Sequence, residues 1–204
     1  AFPTVLNTWV KPVGLAAWAR NADALTAATP LGQLGLLKAW VPEQVMQLAG
    51  QPITTLDCFL GRTGGCIGET SALALLIGAA ILIARRLIRW QVPVAFIGTV
   101  AAVAAISHAM APGRYAPMPF HLFTGGLLLG AIFMATDMVT SPMSRTGAVV
   151  FGVGCGVITS VIRLWGSYPE GVSFSILIMN ALTPLIDRYT AARPFGSRKA
   201  KEAA

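Results

Sequence analysis

The chain has 204 residues, of which 55% are apolar and only 11% are charged. Soluble domains carry about 25% charged residues, so this composition excludes a disordered chain, a solvated helical repeat and a basic nucleic-acid-binding domain. The formal net charge of +7 includes fifteen Lys and Arg residues that sit beside long apolar runs. This pattern is typical of a membrane protein whose cationic loops face the cytoplasm.

Residues 1–66 differ in kind from the rest of the chain, because they contain many prolines and polar clusters such as Asn21–Asp23. About sixty residues of this composition would build a poor core alone, so we expect a structured loop segment with short helices and no separate domain. Leu31–Trp40 predicts a short helix in the membrane interface, with Trp40 at headgroup depth. No charged region followed by an apolar region lies near the start, so no signal peptide is predicted.

Five apolar stretches follow, and each approaches the roughly 20 residues that cross a bilayer. They predict a five-helix transmembrane domain over 67–190 and a basic tail over 191–204. The short loops make neighbouring helices antiparallel, and the many glycines predict close helix packing, with broken helices around a cofactor as the alternative. The predicted spans are 67–84, 92–111, 120–136, 147–162 and 172–186.

The distribution of Lys and Arg predicts the orientation of these spans. Nine of them fall on one side, whereas the opposite inter-span loops hold only Arg114 and Arg163. The positive-inside rule makes the side with nine charges and the C-terminus cytoplasmic, and residues 1–66 then lie on the periplasmic side of a bacterial inner membrane. The nine are Arg85, Arg86, Arg89, Arg145, Arg188, Arg193, Arg198, Lys199 and Lys201.

The three cysteines, Cys58, Cys66 and Cys155, are widely spaced and form no CxxC pair. A structural zinc site or iron–sulfur cluster is therefore not predicted. We interpret them as inert thiols and assign neither a metal site nor a catalytic residue.

The stretch Asp23–Pro30 is the part of the sequence that says most about the chemistry of the protein. On its own it predicts a turn and a helix start, with Thr29 as the cap and Pro30 at the first helical position. The pattern Asp23-x-x-Thr26-x-Ala28-Thr29 also resembles the flavinylation motif in membrane subunits of the Rnf and Na⁺-translocating NADH:quinone oxidoreductase complexes. In that family the final Thr carries FMN through a phosphoester bond. The glycine usual before Ala-Thr is Ala27 here.

Further segments resemble the same family, in order along nearly the whole chain. The ending Arg193–Gly196 favours its Rnf D-type branch over the B-type branch of the quinone reductases. The segments are Gly64–Ser71, His121–Gly126, Met134–Thr140, Trp165–Val172 and Met179–Thr190.

The resemblance implies an all-α integral membrane protein with one half, the C-terminal half, of a urea-transporter-like inverted-repeat fold. It implies a subunit that transfers electrons through FMN on Thr29, in a translocase that couples ferredoxin and NAD⁺ redox chemistry to Na⁺ or H⁺ movement. The implied partners are the flavin-bearing G-type subunit, the membrane A- and E-type subunits and lipid, with no nucleic acid. A second, non-covalent flavin such as riboflavin is compatible with the family.

Three alternatives stay open: a B-type subunit of the quinone reductase, a transporter or channel half without a redox role, and a structural scaffold. The motif Asp23–Thr29 distinguishes them, because a pure channel does not need it.

Two sets of residues are candidates for holding the flavin. Besides the motif itself, backbone N–H groups of Gly64, Gly65 and Gly68 at a helix start favour an anion such as the phosphate. Arg62 is a candidate phosphate partner or, equally, a side chain that extends to lipid headgroups. Glu69 suits the helix dipole, with an ion-pathway role as the alternative.

Several polar residues at span ends have a structural and a functional interpretation. We expect His108 and His121 to be interface histidines bonded to backbone, with proton acceptance as the alternative. Asp137 with Thr140 is weak evidence for a Na⁺ site. Trp165 and Tyr168 are typical of an aromatic belt, and stacking on a flavin is the other possibility.

Overall fold

The computed structural model describes residues 31–32, 34, 40, 47–48, 51–52, 54–61, 71–166, 168 and 170–190. In these residues the regular secondary structure is helical except for one antiparallel pair of two-residue strands, in which Gln47 pairs with Pro52. The elements are β1 (Gln47–Leu48), β2 (Gln51–Pro52), α1 (Thr55–Leu60), α2 (Ala72–Ala84), α3 (Gln91–Met110), α4 (Met118–Phe123), α5 (Leu127–Leu129), a π-helix (Gly130–Met134), α6 (Arg145–Trp165) and α7 (Val172–Thr190).

The centre of the bundle is the packing of α6 between α3 and α7. Gly152 and Gly156 of α6 lie directly on the α3 backbone: a Cβ on Gly152 would stand 2.8 Å from the carbonyl oxygen of Val92, and one on Gly156 3.0 Å from that of Phe96. Small residues four apart let two helix backbones approach this closely. The predicted close packing through glycine is therefore confirmed for this pair of helices.

The surfaces of the bundle that face away from this core are strongly apolar. Large exposed side chains include Ile81 of α2, Val94 and Ile106 of α3, and Leu177 of α7. By length and composition, α3 and α6 are each able to cross a bilayer, and α2 is a shorter apolar helix. Apolar surface of this extent on a soluble monomer would be unusual.

Four of the five predicted spans coincide with continuous helices α2, α3, α6 and α7, although residues 67–70 of the first lie outside the described part. The third does not. The interval 120–136 is divided among α4, α5 and the π-helix, with a break at Thr124–Gly126. Gly125 has φ +72°, a left-handed conformation that ends a right-handed helix. A continuous third span was wrong, and the break expected of the alternative is observed here; that the broken helix surrounds a cofactor stays a prediction.

The end of α2 contains an arginine at a position where glycine is usual. Leu87 N–H donates to the Leu82 carbonyl and Arg86 N–H to that of Ile83, both at 2.9 Å, which is the Schellman pattern of helix termination. The residue between the helix and the loop, Arg86, has φ 55°. A side chain in this conformation costs about 1–2 kcal/mol relative to the right-handed one.

The cationic loops predicted to share one side do meet at one end of the bundle. A guanidinium nitrogen of Arg89 donates to the carbonyl oxygens of Pro142 and Met143. Met143 N–H in turn donates to Asp187 Oδ1 at 3.0 Å. We call this the basic end; it carries Arg85, Arg86, Arg89, Arg145 and Arg188.

Candidate functional site

The break in the third span lies towards the other end of the bundle and is joined to the loop between α6 and α7. Gly126 N–H, at the start of α5, donates to Glu170 Oε1 at 3.4 Å. An interrupted helix leaves backbone groups without partners inside the helix, and here a carboxylate from a distant part of the chain accepts one of them.

Three side chains from separate segments converge on Gly125. A Cβ there would stand 2.7 Å from Leu31 Cδ2, 2.9 Å from Glu170 Oε1 and 3.1 Å from Arg163 Nη2. The space is therefore available only because residue 125 lacks a side chain. The acidic Glu170, the basic Arg163 and the apolar Leu31 therefore meet at the break in the third span.

Leu31 packs against apolar side chains at this end of the bundle, opposite the basic end. It is 2% exposed and forms a cluster with Ala116 and Phe120. Trp40 strengthens the attachment: its ring centroid lies 5.0 Å from that of Phe120 in an edge-on arrangement, and its backbone N–H donates to the Gly113 carbonyl at 3.3 Å. The segment that follows Asp23–Thr29 in sequence is thus anchored beside the broken helix.

A cavity of about 170 Å³ opens next to this junction. The polar residues that line the cavity include His121, which is only 2% exposed. The Nε2 atom of His121 has no hydrogen-bond partner in the described part of the chain. Arg163 Nη1 donates to the His121 carbonyl at 2.8 Å. The lining residues are Leu34, Arg114, Tyr115, Ala116, His121, Arg163, Leu164, Trp165 and Gly166.

The donor set of this cavity fits an anion of the size of a phosphate. Arg114 and Arg163 line it, and guanidinium groups hydrogen-bond phosphate well. The volume is below the roughly 300–1,000 Å³ of sites that enclose a drug-sized ligand. A flavin phosphate fits these residues, whereas its ring system would have to lie outside the cavity.

The site residues proposed from sequence lie outside the described residues. These are Asp23, Thr26, Ala28, Thr29, Arg62, Gly64, Gly65, Gly68 and Glu69, and their roles stay predictions. The described residues nearest to them in sequence include Leu31 and those of α1, and both border α4: Leu31 packs with Phe120, and the ring of Phe59 lies 5.3 Å from that of Phe123.

The other candidates have definite surroundings. His108 Nδ1 lies 2.7 Å from the Tyr115 carbonyl oxygen, which confirms a backbone-bonded histidine. Asp137 Oδ2 accepts from the Thr140 hydroxyl at 3.2 Å, and no group of three or more His, Cys, Asp or Glu side chains with metal-binding geometry occurs among the described residues. Trp165 and Tyr168 are exposed, as an aromatic belt requires.

The convergence of Leu31, Arg163 and Glu170 at Gly125 was not predicted. Two features of the sequence pointed to it: the adjacent Gly125 and Gly126 within an apolar run, and Arg163 as one of only two cations in the predicted inter-span loops of that side. Neither signal alone says which distant segment fills the gap.

Comparison with known proteins now identifies the family. Residues 1–196 match the model of the NQR2, RnfD, RnfE family. The chain is 42% identical to the D-type subunit of the ion-translocating oxidoreductase complex of Stutzerimonas stutzeri, over 96% of this chain and 59% of the relative.

The names of two further relatives include the redox partners of their complexes. The chain is 44% identical to the D-type subunit of the proton-translocating ferredoxin:NAD(+) oxidoreductase complex of Clostridium ljungdahlii, over 98% of this chain and 58% of the relative. It is 43% identical to the D-type subunit of the Na(+)-translocating counterpart of Acetobacterium woodii, over the same shares. The chain spans about three fifths of the length of these relatives, and it belongs to the NQR2, RnfD, RnfE family.

Proposed function

We propose that the chain is the membrane electron-transfer part of an Rnf-type ion-translocating ferredoxin:NAD⁺ oxidoreductase, with FMN bound covalently to Thr29. The observation that carries the proposal is the family match over residues 1–196, which includes the motif Asp23–Thr29. The relatives from Clostridium ljungdahlii and Acetobacterium woodii are named as subunits of such complexes.

The position of Leu31 supports a flavin at the end opposite the basic end. Two residues of extended chain span at most about 7 Å, so a group attached at Thr29 starts close to the buried Leu31. The positive-inside rule makes the basic end cytoplasmic, and the flavin then lies on the periplasmic side. The C-terminus, which follows α7 at the basic end, is cytoplasmic in the same orientation.

The residues of the cavity have a binding role in this proposal. FMN, when bound, accepts and donates one or two electrons at its ring. Arg163 and Arg114 would hold its phosphate, and the buried His121 would form part of the cavity wall. Since the cavity is too small for the ring, its residues would hold the phosphate alone, and a G-type flavin subunit would be the partner in electron exchange.

The architecture proposed for the membrane domain goes beyond the described helices. We propose five crossings over 67–190, the third of them interrupted, which form one half of a urea-transporter-like inverted repeat. Residues 1–66 would be the flavin-bearing periplasmic segment and 191–204 a basic cytoplasmic tail. The A- and E-type membrane subunits and lipid would surround this half.

Flavin attachment is tested in the complex expressed in cells that contain the flavin transferase. The wild-type subunit should fluoresce under ultraviolet light in a denaturing gel, and Thr29→Val should abolish the signal. Thr8→Val, a matched change in the same segment outside the motif, should retain it. A non-fluorescent wild-type band, or equal fluorescence of Thr29→Val, would overturn the proposal.

One observation favours a second candidate, a transporter or channel half without a redox role. The interrupted third span, with Glu170 accepting from Gly126 N–H, is a feature that transporters use to build substrate sites at broken helices. Solute flux in vesicles that is unchanged by Thr29→Val and occurs without any flavin signal would favour this candidate.

A further inference from the structure

The basic end contains an open cleft that the proposed electron transfer does not use. It lies between the loop that joins α2 to α3 and the turn before α6, and its volume is about 570 Å³. Three arginines line it together with Trp90 and Gln91: Arg86, Arg89 and Arg145. A second cleft of about 340 Å³ shares Arg86 and Arg89 with it.

From this cleft we infer a binding site for the phosphate-bearing headgroup of an anionic phospholipid, formed by the three arginines. The inference rests on the membrane placement proposed above and is independent of the flavin. Guanidinium groups form strong paired hydrogen bonds with phosphate oxygens, and basic pockets at the cytoplasmic ends of membrane helices suit such headgroups.

Two of the three arginines stand where local helix chemistry disfavours them. Arg86 occupies the left-handed position of a Schellman motif, where glycine is favoured. Arg145 is the first residue of α6, after the cap Ser144, and a cation at a helix N-terminus opposes the helix dipole. A general excess of positive charge at this end would not require either position. A shared anion in the cleft explains both.

The charge balance of the cleft also favours an anion. Among the described residues, those that line the two clefts include these arginines and no carboxylate; Asp187 accepts from the N–H of the lining residue Met143 but does not itself line either cleft. Arg89 is held in place by the carbonyl oxygens of Pro142 and Met143.

The surroundings distinguish a lipid from free phosphate. Trp90 is 56% exposed and Leu87 60% exposed beside the cleft, and Val94 is exposed one turn further along α3. A tryptophan at headgroup depth next to an apolar helix face is the arrangement expected at the membrane interface. The phosphate would lie among the arginines and the acyl chains along the apolar faces of α2 and α3.

The site is tested on the purified complex in mild detergent by titration with phosphatidylglycerol, phosphatidylcholine or inorganic phosphate, with bound lipid counted by native mass spectrometry. We expect one phosphatidylglycerol site per subunit that phosphatidylcholine does not fill. Arg86→Gly and Arg145→Gln should each weaken it by roughly tenfold or more, the effect of one charge-assisted hydrogen bond. Arg188→Gln removes a charge at the same end outside both clefts and should leave the affinity within about twofold, since exposed charges contribute little.

Each outcome of this experiment bears on the site. Equal binding of both lipids, or equal loss in all three variants, would show general attraction and overturn the inference. Displacement of the lipid by inorganic phosphate would make the cleft a site for free phosphate and also overturn the lipid assignment. Arg86→Gly should melt at or above the wild-type temperature, so its loss of lipid would not reflect unfolding. Flavin fluorescence of the same variants in a denaturing gel reports separately on the proposed function.

Discussion

The junction at Gly125 makes a strong prediction about stability. Gly125→Ala places a methyl group 2.7 Å from Leu31 Cδ2 and 2.9 Å from Glu170 Oε1, at a residue with φ +72°. The left-handed conformation costs an alanine about 1–2 kcal/mol, and overpacking adds about 1–3 kcal/mol. We therefore expect a destabilisation of about 2–5 kcal/mol, which for a chain of this length corresponds to roughly 4–20 °C in melting temperature.

The assay is thermal unfolding in detergent, followed with a dye that fluoresces when it reacts with thiols, because Cys58 and Cys155 are free and buried. The matched control is Gly98→Ala in α3, where a Cβ meets nothing within 4 Å. This change replaces a glycine inside a helix and should stabilise the folded protein by up to about 1 kcal/mol. If the melting temperature of Gly125→Ala equals or exceeds that of Gly98→Ala, the left-handed turn and the contact with Leu31 do not exist as described.

Two further predictions concern packing and burial. Gly130→Ala should destabilise the bundle, because its Cβ would overlap Val172 Cγ1. The added change Val172→Ala should restore part of the loss in the same melting assay, and a single variant with the wild-type melting temperature would contradict the contact between the π-helix and α7. Burial raises the pKa of the Cys58 thiol to about 11, so at pH 8 roughly one thiol in a thousand is the reactive thiolate. Maleimide labelling of Cys58 in the folded protein should therefore be far slower than in the unfolded chain, and equal rates in the two states would contradict its burial.

Elements that depend on residues close in sequence could be predicted well. The long apolar runs predict α3, α6 and α7 to within a few residues, because only a helix satisfies its own backbone in lipid. Alternation of charged loops likewise predicts that Arg89, Arg145 and Arg188 share one end. His108 forms the backbone contact expected of an interface histidine.

Features that depend on distant residues could not be predicted. A pair of glycines such as Gly125 and Gly126 is compatible with close packing or with a break, and the outcome depends on Leu31, Arg163 and Glu170, which reach the site from three other segments. The left-handed Arg86 was also not predicted, because the helix-termination pattern leads one to expect glycine there. Local rules fail most often at functional sites, and both exceptions lie beside the clefts and cavity described above.

The central claim is tested most directly by the mass of the subunit isolated from the assembled, electron-transferring complex, followed by mapping of the modified peptide. The account predicts a mass increase of one FMN less one water, located on Thr29 and lost in Thr29→Val. An unmodified Thr29 in a complex that still transfers electrons at the wild-type rate would contradict it.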